Sequence, residues 1–112
     1  MNILKKMPQN LEEDKVTLYR LTKDISNKMK DCAGQELQID AYCLYEDVNS
    51  KGDQVTLLSI MSDNEVFTTS SETFIDAFNG MIEVFGDDIP NIEVLEAVSK
   101  NNRSYITCRL SK

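Results

Sequence analysis

The spacing of the apolar residues changes along this chain, and the change limits the folds that it can adopt. From Gln35 onward apolar and polar residues alternate in short runs, which is the pattern of β-strands with one buried face. Between the third and fourth of these runs, the apolar residues of 72–85 are spaced as in an amphipathic helix. The pattern therefore predicts the order β-β-β-α-β-β within residues 35–111.

Turn-forming residues separate the predicted elements. The polar segment 46–53 predicts a hairpin loop, and Ser70 or Ser71 could cap the helix, which Gly86 ends. The strands are predicted at 37–44, 54–62, 66–70, 92–99 and 104–110. In the last strand, the alternation directs Ile106, Cys108 and Leu110 inward and Tyr105, Thr107 and Arg109 outward.

Five strands with a helix between the third and the fourth match the OB-fold, a five-stranded Greek-key barrel. We therefore expect one domain over residues 1–112, with the barrel at 35–111. Residues 11–25 predict an N-terminal helix, because Leu11, Leu18, Leu21 and Ile25 have helical spacing and Asn10 with Glu13 resembles a capping box. Residues 1–10 show no pattern and are predicted to be mobile.

Several classes of function are disfavoured by composition. The chain has no histidine, no glycine-rich phosphate loop and no convergent pair of acids, so we expect no enzyme, no metal and no cofactor. Its three cysteines are far apart and lack C-x-x-C spacing, which is typical of a reduced, cytoplasmic protein. No apolar run approaches the ~20 residues that span a bilayer, so no membrane partner is expected.

The charge is unevenly distributed. The net charge is −7, which argues against binding of polyanions by bulk electrostatics. However, the balance is +2 over residues 1–34, −13 over 35–99 and +4 over 100–112. The cations therefore concentrate at the two ends of the chain, where they are either solvated surface charges or part of one basic face.

A single-stranded nucleic acid would need flat rings for its bases and cations for its phosphates. Tyr42 and Tyr105 are predicted to point outward, whereas Tyr45 and Phe67 could either stack on bases or close the barrel. The candidate phosphate contacts are Lys51 in the first hairpin, Lys100 and Arg103 in the last hairpin, and Arg109 on the last strand. Asn101 and Asn102 could donate to phosphates or base edges, or could serve only to form the turn.

Residues 18–110 resemble a known family. The features are the segment from Leu44 to Gly52, with Tyr45 near its start and Ser50-Lys51-Gly52 at its end; the helix start Ser71-Glu72-Thr73-Phe74; and a final hairpin with Ser99-Lys100 ahead of Tyr105. In these features the chain is similar to the small single-stranded-DNA-binding proteins of phages and integrated mobile elements of Gram-positive bacteria. One difference is that Asn101-Asn102 stand where those proteins have glycine after Ser-Lys.

The resemblance implies an OB-like fold, sequence-tolerant binding of single-stranded DNA, and a role in replication or transfer of phage or mobile-element DNA. It implies replication or conjugation proteins as partners, and no catalysis, metal or cofactor. A barrel edge strand could pair between chains, which leaves a homodimer open. The alternative function is an acidic protein-interaction module, such as a phage-encoded inhibitor or DNA mimic, whose −13 middle segment binds a host protein.

Overall fold

The structure is a computed structural model that describes residues 1–24 and 26–111, which are mainly β with two α-helices. The strands are β1 (Asn2–Met7), β2 (Asn27–Lys28), β3 (Glu36–Leu37), β4 (Ala41–Val48), β5 (Gln54–Ser62), β6 (Glu65–Thr69), β7 (Ile92–Val98) and β8 (Ser104–Leu110). The helices are α1 (Lys15–Thr22) and α2 (Glu72–Phe85), and 3-10 turns lie at Leu11–Glu13 and Met29–Cys32. Ile25, expected to end the N-terminal helix, and Lys112 lie outside the described residues.

The strands form two sheets. One has five strands in the order β1-β4-β5-β6-β2, with β2 parallel to β6 and the other pairs antiparallel. The other has the antiparallel order β3-β7-β8. Leu37 pairs with Ile92 in the second sheet, and Ala41 pairs with Met61 in the first. The predicted strand 37–44 is therefore interrupted, because the chain crosses between the sheets at 38–40.

The elements from β5 to β8 lie where the alternation and the turn residues placed them. The β5–β6 turn contains Asp63 and Asn64 at φ 50° and 68°, a left-handed conformation that these residue types tolerate. Ser71 caps α2, with its Oγ accepting a hydrogen bond from the Phe74 backbone N–H at 3.3 Å. Gly86, at φ 62°, ends the helix.

The first ten residues are not the patternless segment that we expected. Asn2–Met7 form β1, which pairs with β4 so that Ile3 lies opposite Tyr45 and Met7 opposite Tyr42. A bulge between Ile3 and Lys5 shifts the register, which hides the alternation in the sequence. The prediction that residues 1–10 have no regular structure is therefore wrong over Asn2–Met7.

The predicted helix 11–25 is shorter and begins later. Leu11–Glu13 form a 3-10 turn, and the side chain of Asn10 makes no capping hydrogen bond. Asp14 caps α1 instead, since its Oδ1 accepts from the Thr17 backbone N–H at 3.2 Å and its Oδ2 from the Thr17 hydroxyl at 2.7 Å. Because Asp14 captures these donors, the regular helix starts at Lys15.

Apolar side chains fill two regions on opposite faces of the five-stranded sheet. The larger region lies between the two sheets and α2, and there the Tyr42 ring meets the Phe78 ring edge-on. The smaller region lies under α1 and the 3-10 turn at Leu11–Glu13. It contains Leu11, Leu21, Ala41, Cys43, Tyr45 and Val66. Strand β4 is therefore buried on both faces.

The two apolar regions enclose three candidate rings, which corrects the outward direction predicted for Tyr42 and favours packing over base stacking for Tyr45 and Phe67. Tyr42, expected to point outward, is only 2% exposed, and Tyr45 and Phe67 are also buried. Alternation assigned the Tyr42 and Leu44 face of β4 to solvent, but that face packs against α2 and the second sheet, and α1 covers the opposite face with Cys43 and Tyr45. Cys43 and Cys108 are buried as expected, whereas Leu110, predicted to point inward, is partly exposed near the chain end.

Candidate nucleic-acid interface

A groove crosses the ends of β6 and β8. It consists of two hollows, of about 370 and 340 Å³, that share Lys30, Thr69 and Ser70. We call it the Lys30 groove; its lining residues are Ser26–Lys30, Leu57, Thr68–Ser71 and Ser104–Ile106. None of these lining residues is an aspartate or glutamate, although the whole chain carries a net charge of −7.

The two lysines of the groove are positioned by β2 and by the 3-10 turn that follows it. Lys28 pairs with Thr68 in the parallel β2–β6 ladder and keeps an extended backbone at φ −78° and ψ 130°. The chain then enters the turn at Met29–Cys32, where Met29 is buried and Lys30 is exposed. Burial of Met29 between the two lysines therefore directs both ammonium groups to the surface.

Hydroxyl groups supply much of the remaining polarity. Thr68 Oγ1 accepts a hydrogen bond from Ser26 Oγ at 2.8 Å and lies 2.8 Å from Ser59 Oγ beneath the groove. Ser71 Oγ donates to the Ile106 carbonyl at 3.0 Å, which joins the start of α2 to β8. This hydrogen bond therefore ties together two segments that line the groove, the start of α2 and β8.

Tyr105 supplies the one aromatic ring among the residues that line the Lys30 groove. On β8, Tyr105 lies opposite Ala97 of β7. This residue is 38% exposed, which confirms the predicted outward direction. The rings of Tyr42, Tyr45 and Phe67 are packed in the two apolar regions, and they offer no face to a base. Of the four aromatic residues that the sequence suggested, only Tyr105 can stack as the structure stands.

The hairpins that carry the predicted cations connect β4 to β5 and β7 to β8. They belong to different sheets, and neither of them lines the Lys30 groove. Asn49 shapes the first hairpin, since its Oδ1 accepts from the backbone N–H groups of Lys51 and Asp53, both at 2.9 Å. In the last hairpin Asn102 adopts φ 60°. Lys100, Asn101, Asn102 and Arg103 are exposed there. Arg103 directly precedes the groove residue Ser104, so this hairpin adjoins the groove.

Arg109 forms a salt bridge with the carboxylate of Glu93. Its Nη2 lies 2.8 Å from Glu93 Oε1, and its Nε donates to the same oxygen at 2.9 Å. Both residues line a separate hollow with Glu36, whose pKa is lowered by hydrogen bonds from Ser111 and Asn91. A phosphate at Arg109 would face two carboxylates. The prediction that Arg109 binds phosphate is therefore not supported by its surroundings.

Carboxylates mark one boundary of the Lys30 groove. A neighbouring hollow of about 480 Å³ shares Ser70 with the groove and is lined by Glu72 and Asp76 of α2. An anionic strand would be attracted at Lys28 and Lys30 and repelled at these two acids. The charges therefore favour a path along β2 and β8 and away from α2.

The buried thiols offer no nucleophile. Burial raises the pKa of Cys43 to about 11 and that of Cys108 to about 12, and it also raises the pKa of Cys32. Thiols with such pKa values are protonated near neutral pH and react slowly. The chemistry that this surface offers is binding by charge, hydroxyl groups and one ring.

Sequence reasoning missed Lys28 and Lys30, because residues 26–34 looked like a plain connector. The signal that could have found them is the run Lys28-Met29-Lys30, in which one apolar residue separates two cations. When the apolar residue between two lysines is buried, both lysine side chains are expected to extend into solvent.

Comparison with known proteins gives no relative: no family model, curated protein or solved structure matches the chain. Neither α1 nor α2, the α-helices of the described part of the chain, has the length and apolarity that a membrane crossing requires.

Proposed function

We propose that this protein binds single-stranded DNA without base specificity through the Lys30 groove. The observation that carries the proposal is the lining of the groove: two lysines, several hydroxyl groups, one exposed tyrosine ring and no carboxylate. Lysines attract phosphates, and an exposed ring can stack on any base. In a chain with net charge −7, a surface free of acids is the one most suited to an anionic ligand.

An OB-like barrel is part of the same proposal. Strands β4, β5 and β6 form a meander, α2 follows β6, and the β7–β8 hairpin comes last. The β3–β4 segment joins the two sheets, and the hydrogen bond from Ser71 to Ile106 links the end of the meander to β8. OB-folds bind nucleic acid across their second and third strands and the flanking loops, which corresponds here to β5, β6 and the hairpins.

We further propose that the bound strand is an intermediate in replication or transfer of phage or mobile-element DNA in the cytoplasm. Support for this role comes from the family resemblance of residues 18–110. Replication or conjugation proteins would be the partners. On this proposal the protein holds and protects DNA, and it is not an enzyme.

The strength and salt dependence of binding follow from the contacts. One base stacked on Tyr105 contributes about 1–3 kcal/mol. Lys28, Lys30, Lys100 and Arg103 could contact three or four phosphates, which gives a salt slope of about −2 to −3 at about −0.7 per phosphate. We expect binding in the micromolar range at low salt and weak binding at high salt.

The test is a fluorescence-anisotropy titration with oligo-dT at two salt concentrations, comparing Lys30→Gln with Arg109→Gln. Both substitutions remove one positive charge, so they change the long-range field equally. Because Lys30 lies in the groove and Arg109 pairs with Glu93, only Lys30→Gln should weaken binding and reduce the salt slope by about 0.7. Equal losses in the two variants would show that the groove is not the site.

A second candidate function is an acidic protein-interaction module. It is favoured by the exposed side of α2, where Glu72, Asp76 and Glu83 are followed by Asp87 and Asp88. A basic protein surface would complement this side. Absence of oligo-dT binding, together with retention on a lysine-rich peptide column that Asp76→Asn and Glu83→Gln weaken, would favour this function over DNA binding.

A further inference from the structure

Helix α1 covers only part of the outer face of the five-stranded sheet. Its residues Leu18 and Leu21 pack on the apolar region that includes Cys43 and Tyr45. Further along the same face Leu57 remains partly exposed, and so does Val55, which lies at the border with the hollow that Glu72 and Asp76 line. Leu57 also lines the Lys30 groove, so the uncovered part of the sheet is continuous with the groove.

Two contacts fix which side of α1 borders this uncovered area. Arg20 donates from Nη1 to Asn64 Oδ1 at 2.7 Å, and Asn64 lies in the turn at one end of β5. Lys23 Nζ lies 3.4 Å from Asp47 Oδ2, and Asp47 pairs with Val55 near the other end of β5. Arg20 therefore faces the β5–β6 turn, whereas Lys23, the C-cap residue that follows α1, faces the uncovered area.

Tyr19 lies one turn before Lys23 and about 100° around the helix from Arg20, so its ring is on the side of α1 that leads to Lys23, the Lys23 side. Lys15 precedes Tyr19 by four residues, so the ring has a cation one turn away in each direction. Tyr19 is 57% exposed, which makes it a more accessible ring than Tyr105 at 38%. Cations spaced around an accessible ring are what a single strand requires of a binding surface.

We infer that α1 is a second part of the DNA site, in which Tyr19 stacks on a base while Lys15 and Lys23 contact phosphates. The inference rests on the proposed function and extends it. The bound strand runs from Tyr105 through the Lys30 groove, over Leu57, to Tyr19. Lys23 makes a single 3.4 Å contact with Asp47, whereas Arg109 makes two contacts with Glu93 and also lies beside Glu36, so exchanging a carboxylate for a phosphate costs less at Lys23.

The choice of DNA as the occupant follows from charge and continuity. The Lys30 groove and the uncovered area share Leu57, and Lys28 lies between the Lys23 side of α1 and Lys30 along the chain. A strand held at Lys30 and continuing along this surface therefore meets Lys23 and Tyr19. An acidic protein would compete for the same cations, but it would give no cross-link through a base.

Photo-cross-linking with an oligo-dT that carries 5-iododeoxyuridine tests the inference on the unmodified chain. Irradiation of the complex, followed by digestion and mass spectrometry, should place cross-links at Tyr19 as well as Tyr105. Titration of variants gives a second measurement: Tyr19→Ala should weaken binding about tenfold, the loss expected for one base–ring stack, and Tyr19→Phe should stay within about twofold. Val84→Ala, at an exposed position on α2, is the matched control.

The outcomes separate the two proposals. If the unmodified chain binds oligo-dT but Tyr19 gives no cross-link and Tyr19→Ala binds normally, the role of α1 is refuted and the Lys30 groove stands. If the unmodified chain does not bind oligo-dT at all, the proposed function fails and the role of α1 fails with it. Circular dichroism of each variant confirms that a loss of binding is not a loss of folding.

Discussion

The ring of Tyr42 on β4 meets the ring of Phe78 on α2 edge-on, with centroids 5.2 Å apart and planes inclined by 82°. This contact joins the five-stranded sheet to the helix in the larger apolar region. Edge-on pairs of this kind contribute about 0.5–1.5 kcal/mol beyond the area that they bury. Tyr42 therefore stabilises the fold, and its substitution should not remove a DNA contact.

Replacing Tyr42 tests this assignment. Tyr42→Ala should lower the free energy of unfolding by about 3–5 kcal/mol, because it leaves a cavity between β4 and α2. Tyr42→Phe should cost far less, since the ring and its contact with Phe78 remain. Urea denaturation followed by circular dichroism measures both. If Tyr42→Ala kept the unfolding free energy of the unmodified chain but lost oligo-dT binding, the result would contradict this assignment and indicate that Tyr42 contacts DNA.

The cap of α2 can be tested with neighbouring serines. Ser71→Ala removes the acceptor for the Phe74 backbone N–H and the donor to the Ile106 carbonyl, so we expect a loss of about 1–2 kcal/mol in unfolding free energy. Ser70→Ala is the control, because Ser70 is exposed and is not the N-cap residue. Equal effects of the two substitutions in urea denaturation would contradict the capping role of Ser71.

The pH dependence of stability should report on the cap of α1. Hydrogen bonds from the Thr17 hydroxyl and then the Thr17 backbone N–H lower the pKa of Asp14 below its ordinary value of 3.8. A carboxyl whose folded pKa is depressed stabilises the fold above its unfolded pKa, and that contribution is lost as pH falls through the folded pKa. We therefore expect part of the acid destabilisation below pH 3.8 to come from Asp14.

Asp14→Asn isolates this contribution, because asparagine caps helices about as well as aspartate but does not titrate there. The urea midpoint of the variant should resemble that of the unmodified chain near neutral pH. As pH falls below the ordinary aspartate pKa of 3.8, it should decrease less steeply than that of the unmodified chain. An unchanged slope would mean that Asp14 does not contribute through its charge.

The last hairpin should prefer glycine or asparagine at position 102. Asn102 has φ 60°, a left-handed conformation that costs most residues about 1–2 kcal/mol. Asn102→Ala should therefore destabilise the protein by about 1 kcal/mol, while Asn102→Gly should leave the thermal midpoint nearly unchanged. If Asn102→Gly keeps stability but weakens oligo-dT binding, the amide contacts the DNA; if binding is also unchanged, the residue only shapes the turn.

The region from β5 to β8 could be predicted because local rules agree there. Alternation, the Ser71 cap and the Gly86 end mark boundaries that lie within about one residue of those in the structure. Each of these features acts within a few residues, so a single sequence displays it. The helix α2 in particular has one uninterrupted apolar side, as a helix packed against sheets requires.

The N-terminal third was harder to predict because its structure depends on distant residues. Strand β1 exists through pairing with β4, and the bulge near Lys5 breaks its alternation. Tyr42 and Tyr45 are both buried because α2 and the second sheet cover one face of β4 while α1 covers the other. Lys28 comes beside Thr68, and Lys30 beside Tyr105, only when β2 pairs with β6, a contact between segments about forty residues apart.

Burial of β4 on both faces has a consequence for sequence variation. In most half-exposed strands every second position accepts almost any residue, so a saturation mutagenesis scan shows alternating tolerance. Along Ala41–Tyr45 each side chain is enclosed, those of Tyr42 and Leu44 on one face and those of Cys43 and Tyr45 on the other. Such a scan should therefore find five successive intolerant positions here, and natural variants should keep this run nearly constant while the hairpin after it drifts.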